Sequence, residues 1–302
     1  MAPHEPAART VRPMSTRDEP GTFRCQDRQL AYRVYGEGAR VTVLLHGLLL
    51  SQRMHVPLAR ALAERGDRVV TLDLLGHGQS DRPADMWRYS MGCFAQEVVG
   101  LLDHLEVDEA VVGGTSLGAN VTLEVASLAP ERLRGMVVEM PVLDNALLAC
   151  AVAFTPLLIA LTVGEPAMKA ISRLARLVPE RRVPWAANVL LDTVRQHPAP
   201  SAAVLQGLFS GRTAPHRSER RSFTAPTLVI GHHRDPVHPF SDAGLLAEEL
   251  PNSTLLEAEL DPGAAHRPGA AHERDRELHR AVLAPAQRRP GAHPRGAGVR
   301  LR

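Results

Sequence analysis

The chain has 302 residues, 44% hydrophobic and 23% charged, with 23 Gly, 24 Pro and 3 Cys. This composition excludes disordered, collagen-like and disulfide-framework proteins and leaves a globular protein with a sizeable core. The formal charge of +2 is unevenly spread: residues 261–302 hold nine arginines against four acids, a net of +5, so residues 1–260 carry −3 and offer no excess charge to a phosphate backbone.

Residues 1–22 read as a flexible, polar, Pro- and Arg-rich segment without the apolar stretch of a secretion signal, so the expected location is the cytoplasm. Met14 is an equally good start. Residues 29–35 alternate in character as a half-exposed strand does, and residues 41–45 form a continuous β-rich apolar run, the mark of a strand buried on both faces. Helical spacing follows over 54–64, ending before Gly66, then a strand at 68–73. Tyr89-Ser90 opens a helix with Phe94, Val98, Leu101, Leu102 and Leu105 on one face. A buried strand at 109–113, a helix at 119–129 stopped by Pro130, and a strand at 133–139 continue the pattern.

Short connections between alternating strands and helices predict right-handed βαβ units. The expected fold class is therefore α/β, a doubly wound, mostly parallel sheet. Between residues 142 and 222 the alternation stops, leaving helical patterns and several prolines, which predicts a helical cap inserted into a core formed by 23–141 and 223–284. Within it, residues 145–164 are uncharged and nearly long enough to span a membrane. Pro156, Thr155 and Thr162 argue instead for apolar helices lining a pocket, so no membrane span is expected. A strand at 227–230, a helix at 241–250 and a short strand at 254–257 complete the core, and residues 285–302 read as a disordered tail.

Gly114-Thr115-Ser116-Leu117-Gly118 lies between a buried strand and a helix, the setting that gives a G-x-S-x-G match its meaning. A sharp strand-to-helix turn strains the backbone, small neighbours at Gly114 and Gly118 let the two elements approach, and Ser116 Oγ stands at the tip as a nucleophile. The simpler reading is a helix N-cap serine. The Leu117 N–H then faces an oxyanion, and Leu48, in His46-Gly47-Leu48-Leu49 after the 41–45 strand, is positioned to give a second donor.

Together with Asp73-Leu74-Leu75-Gly76-His77-Gly78-Gln79-Ser80-Asp81, these segments resemble the α/β-hydrolase superfamily, specifically its esterase, enol-lactonase and cofactor-free haloperoxidase-like branch. The resemblance spans residues 29–252 and implies a Ser116 nucleophile where epoxide hydrolases and dehalogenases of this fold carry Asp. It also implies a late acid and then a C-terminal His. Asp235, in Gly231-His232-His233-Arg234-Asp235-Pro236-Val237-His238-Pro239, is the candidate acid, with Asp144 as a rival. His232, His233, Asp235 and His238 also form a metal-like set, but adjacent His side chains on an extended segment point apart, and no metal is expected.

For the base, Asp261-Pro262-Gly263-Ala264-Ala265-His266 resembles the family's His loop, so His266 is the candidate, with His272 and His279 as alternatives. The residues after about 260 are largely Ala, Arg, Pro, Gly and His, as a shifted reading frame in GC-rich DNA would give. The implied activity is cleavage of an ester, lactone or thioester of a small apolar substrate through an acyl-enzyme, without a cofactor. The alternative is a ligand-binding or lyase-type protein on the same fold with an incomplete triad.

Overall fold

A computed structural model describes residues 18–258 and the backbone of 299–300. The chain opens with an antiparallel hairpin, β1 (Asp18–Cys25) and β2 (Arg28–Tyr35), turned by Gln26 at a φ of 57°. Then follow β3 (Val41–Leu45), α1 (Val56–Ala63), β4 (Arg68–Asp73), α2 (Met91–His104), β5 (Ala110–Thr115), α3 (Leu117–Leu128) and β6 (Leu133–Glu139). Helices α4 (Leu147–Thr162), α5 (Glu165–Arg176), α6 (Trp185–Arg195), α7 (Pro198–Ser210) and the short α8 (Arg217–Arg220) stand between β6 and β7 (Thr227–His232). The order ends with α9 (Phe240–Glu249), β8 (Ser253–Ala258) and β9 (Val299–Arg300).

The strands form one sheet in the order β1-β2-β4-β3-β5-β6-β7-β8-β9, antiparallel at β1-β2 and β2-β4 and parallel from there on. The doubly wound, mostly parallel α/β fold is as expected from the alternation. Every residue of β3 and β7 is buried, since helices cover both faces of the parallel part. Ser90 caps α2 by accepting from the Cys93 N–H at 3.2 Å, and Phe94, Val98, Leu101 and Leu102 turn their shared face fully into the core.

Three expectations are corrected. Residues 18–22 of the segment read as flexible are strand, paired with β2 from Asp18 opposite Tyr35. Their polar sequence hid an edge strand whose backbone pairing needs few apolar side chains until Phe23, which is buried. At the other end, residues 299–300 of the segment read as disordered pair with β8, Val299 opposite Leu256; such pairing uses only main-chain groups at an open sheet edge. Residues 145–164 contain one long helix, α4, that runs through Pro156 and bends by 95° into α5. Proline removes one intrahelical donor without ending the helix. Among the described residues no single helix is long and apolar enough to cross a membrane.

Candidate active site

The turn from β5 into α3 places Ser116 at a φ of 55° and ψ of −110°, a conformation that a side chain adopts only under strain. The turn is held by Ser116 N–H donating to Glu139 O at 2.9 Å and by Asn120 N–H donating to Ser116 O at 3.1 Å. A Cβ on Gly118 would lie 2.2 Å from Leu45 O, and one on Gly114 would lie 2.4 Å from the Gly118 carbonyl carbon. Both glycines are therefore required by the approach of α3 to β3 and β5. Ser116 makes no side-chain cap for α3, which sets aside its reading as a simple N-cap. Its Oγ is 2.8 Å from His238 Nε2.

His238 sits three residues after Asp235 on the loop following β7, between Pro236 and Pro239. Its Nδ1 is 3.0 Å from Asp235 Oδ2. The other carboxylate oxygen accepts from the Val237 N–H at 2.7 Å and the His238 N–H at 2.8 Å, so the turn clamps the acid against its own histidine. Burial pushes the Asp235 carboxyl up, but these two backbone donors and the His238 ring outweigh it and hold it below its ordinary value. The group remains a carboxylate, able to fix His238 with Nδ1 protonated and Nε2 free to accept.

The base candidate His266, with its alternatives His272 and His279, lies outside the described residues. The ring brought to Ser116 is His238, which sequence reasoning had placed only in a metal-like set. The available signal was the Asp-Pro-Val-His spacing, because a tight turn carries residue i+3 back onto the carboxylate of residue i. Asp144, the rival acid, is exposed. The metal-like set is dispersed: His232 Nε2 meets Glu139 at 3.1 Å, and His233 Nε2 meets Glu257 at 3.2 Å while its ring stacks on Phe240.

His46 is fully buried. Its Nδ1–H donates to Gly47 O at 2.8 Å, and its Nε2 accepts from the Leu74 N–H at 3.1 Å, joining the ends of β3 and β4. Burial lowers its pKa, with Asp73 opposing, so the ring is a neutral brace for the Gly47-Leu48 turn. Among the described residues the Leu48 and Leu117 N–H groups have no hydrogen-bond partner. Leu49, at a φ of 58°, packs with Leu161, Ala202 and Leu205, and Phe154, Leu157 and Leu158 of α4 join this cluster. An apolar roof therefore stands over the segment that follows β3. Trp87 is exposed and Trp185 donates its ring N–H to Arg53 O, so neither belongs to that roof.

The comparisons agree with this architecture. The alpha/beta hydrolase fold family matches residues 41–158. AB hydrolase superfamily protein YisY of Bacillus subtilis is 25% identical over 80% of this chain and 89% of its own length. A 2-hydroxymuconate semialdehyde hydrolase of a Pseudomonas species is 33% identical over 34% of this chain, which spans about a third of that protein. The crystal structure of a hydrolase from Pseudomonas aeruginosa superposes with a TM-score of 0.70 at 22% identity, covering 88% of this chain and 98% of that one. With its strand order, its strained Ser116 turn and these likenesses, the chain has the α/β-hydrolase fold and resembles that superfamily.

Proposed function

We propose that the protein is a serine hydrolase that cleaves an ester, lactone or thioester of a small apolar substrate through an acyl-enzyme. His238 Nε2 takes the Ser116 proton as Oγ attacks the acyl carbonyl, and the Leu48 and Leu117 N–H groups receive the oxyanion. The imidazolium, stabilised by Asp235, returns the proton to the leaving oxygen or sulfur as the acyl bond breaks. Water, deprotonated by His238, then attacks the acyl-enzyme, releasing the acid and restoring Ser116. The carrying observation is the hydrogen-bonded series from Ser116 Oγ through His238 to Asp235, at 2.8 and 3.0 Å.

The helices between β6 and β7 act as the cap in this reading, and the cluster of Leu49 with Phe154, Leu157 and Leu158 supports an apolar acyl or alcohol group. The relatives named above are called hydrolases, which supports the reaction class. Treating the purified chain with a fluorophosphonate and with a short-chain p-nitrophenyl ester tests the proposal. Labelling of Ser116, lost in Ser116→Ala together with turnover, is the expected result; equal labelling of the variant would defeat it.

A further inference from the structure

Residues 145–164 hold no charged side chain, and α4, which fills most of that run, is apolar on both of its sides. Its inner side supplies Phe154, Leu157, Leu158 and Leu161 to the cluster over the segment after β3. Its outer side shows Leu148, Val152 and Ile159, with Val163 just past its end, at helical spacing and each between 55% and 82% exposed. A helix facing water ordinarily turns polar and charged groups outward; one that is apolar all round belongs against a second apolar medium.

Helix α5 extends this surface. Ser172 on its inner side is buried and donates to Gln196 O at 2.7 Å, which fixes the rotation of the helix. Leu174 and Leu177 are thereby turned outward, 66% and 75% exposed. Both helices pack on α7, so their outer sides lie away from it, on the outside of the cap.

Charge selects what would cover this face. Residues 145–182 hold five bases and two acids, a net of +3. Both acids are already taken, Glu165 by Lys169 and Glu180 by Arg53, each at 2.9 Å. Arg173, beside Leu174, and Arg181 and Arg182, in the turn after α5, are exposed, and their side chains have no ion-pair or hydrogen-bond partner among the described residues. A second copy would bring the same positive surplus. So would the chain's own ends, since residues 1–17 hold three arginines against one acid and residues 259–298 seven against five. An anionic bilayer matches both features: its acyl chains take the outward Leu, Ile and Val side chains, and its headgroups meet the arginines at their edge.

We propose that the outer face of α4 and α5 docks the protein onto an anionic lipid bilayer, lying in its interface rather than crossing it. Helix α4 then forms the wall between the acyl chains and the cluster around Leu49.

The test is co-sedimentation of the full chain with vesicles in the absence of any substrate, so that its outcome is independent of the hydrolytic reading. Vesicles of phosphatidylcholine with about a quarter phosphatidylglycerol should bind the chain at least about tenfold more strongly than phosphatidylcholine alone. The double variant Leu148→Gln, Val163→Gln should lose at least about tenfold in partitioning to the anionic vesicles. The triple variant Arg173→Gln, Arg181→Gln, Arg182→Gln should bind the two kinds of vesicle alike. Absence of binding to the anionic vesicles overturns the proposal, as does unchanged binding in either variant that circular dichroism shows to be folded. Light scattering and carbene footprinting decide the other occupants. A dimer that the double variant dissociates would assign the face to a second copy, and an α4 shielded in the vesicle-free monomer would assign it to the chain's own ends; either result overturns the proposal.

Discussion

His238 Nε2 and Ser116 Oγ lie 2.8 Å apart although 122 residues separate them, while the acid that orients His238 is only three residues away on the same turn. Ser116 is thus placed by the turn after β5, and Asp235 and His238 by a single loop after β7.

The assignment of His238 rather than His266 has a kinetic signature. His238→Ala is expected to lower kcat/KM for an activated ester by about a thousandfold or more, whereas His266→Ala should stay within about threefold of the parent. Steady-state assays of both variants check this, and the opposite ranking would move the base to the C-terminal segment.

The glycines flanking the Ser116 turn act through space rather than chemistry. Gly118→Ala puts a methyl group 2.2 Å from Leu45 O, a backbone atom in a fully buried strand. The expected loss is about 2–4 kcal/mol of stability, read by urea denaturation.

Asp242, fully buried in α9, accepts from the backbone N–H groups of Leu143, Asn145 and Ala146 at 2.8, 3.2 and 3.0 Å, anchoring the entry to α4. Asp242→Ala leaves the Leu143 and Asn145 N–H groups unanswered, while Ala146 keeps Leu143 O as acceptor, and should cost about 2–3 kcal/mol. Proteolysis is expected to cut first near residues 142–147.

Glu97 sets a pH dependence of stability. It is buried in α2 and accepts from the Leu75 N–H at 3.0 Å; burial pushes its pKa up to about 8, with that hydrogen bond and Arg28 opposing. The folded state therefore holds a proton that the unfolded chain releases near its ordinary value of 4.5. Its contribution is complete below that value and is lost as pH rises through about 8, a decline on the order of a few kcal/mol. Denaturation at pH 5 and pH 8.5 should show the slope, and Glu97→Gln should flatten it.

The parallel strands were legible because burial on both faces writes itself as unbroken apolar runs, as in residues 41–45 and 227–230. The Ser116 turn was legible because steric demand admits only glycine at 114 and 118. Asp18–Cys25 was not, since an edge strand is held by main-chain pairing that leaves little trace in side-chain character. The His238 pairing was hidden for a different reason: an Asp and His three apart carry no periodic signal. Only the turn geometry shows that their side chains meet, and the family pattern directed attention beyond β8.

Because Asp235 clamps His238 through the main chain of their own turn, the pair is a self-contained cartridge seated at the end of β7. These hydrogen bonds lie within residue 116 and residues 235–238. In the proposed mechanism, replacing His266, His272 or His279 is therefore expected to leave the distance from His238 to Ser116 as it is.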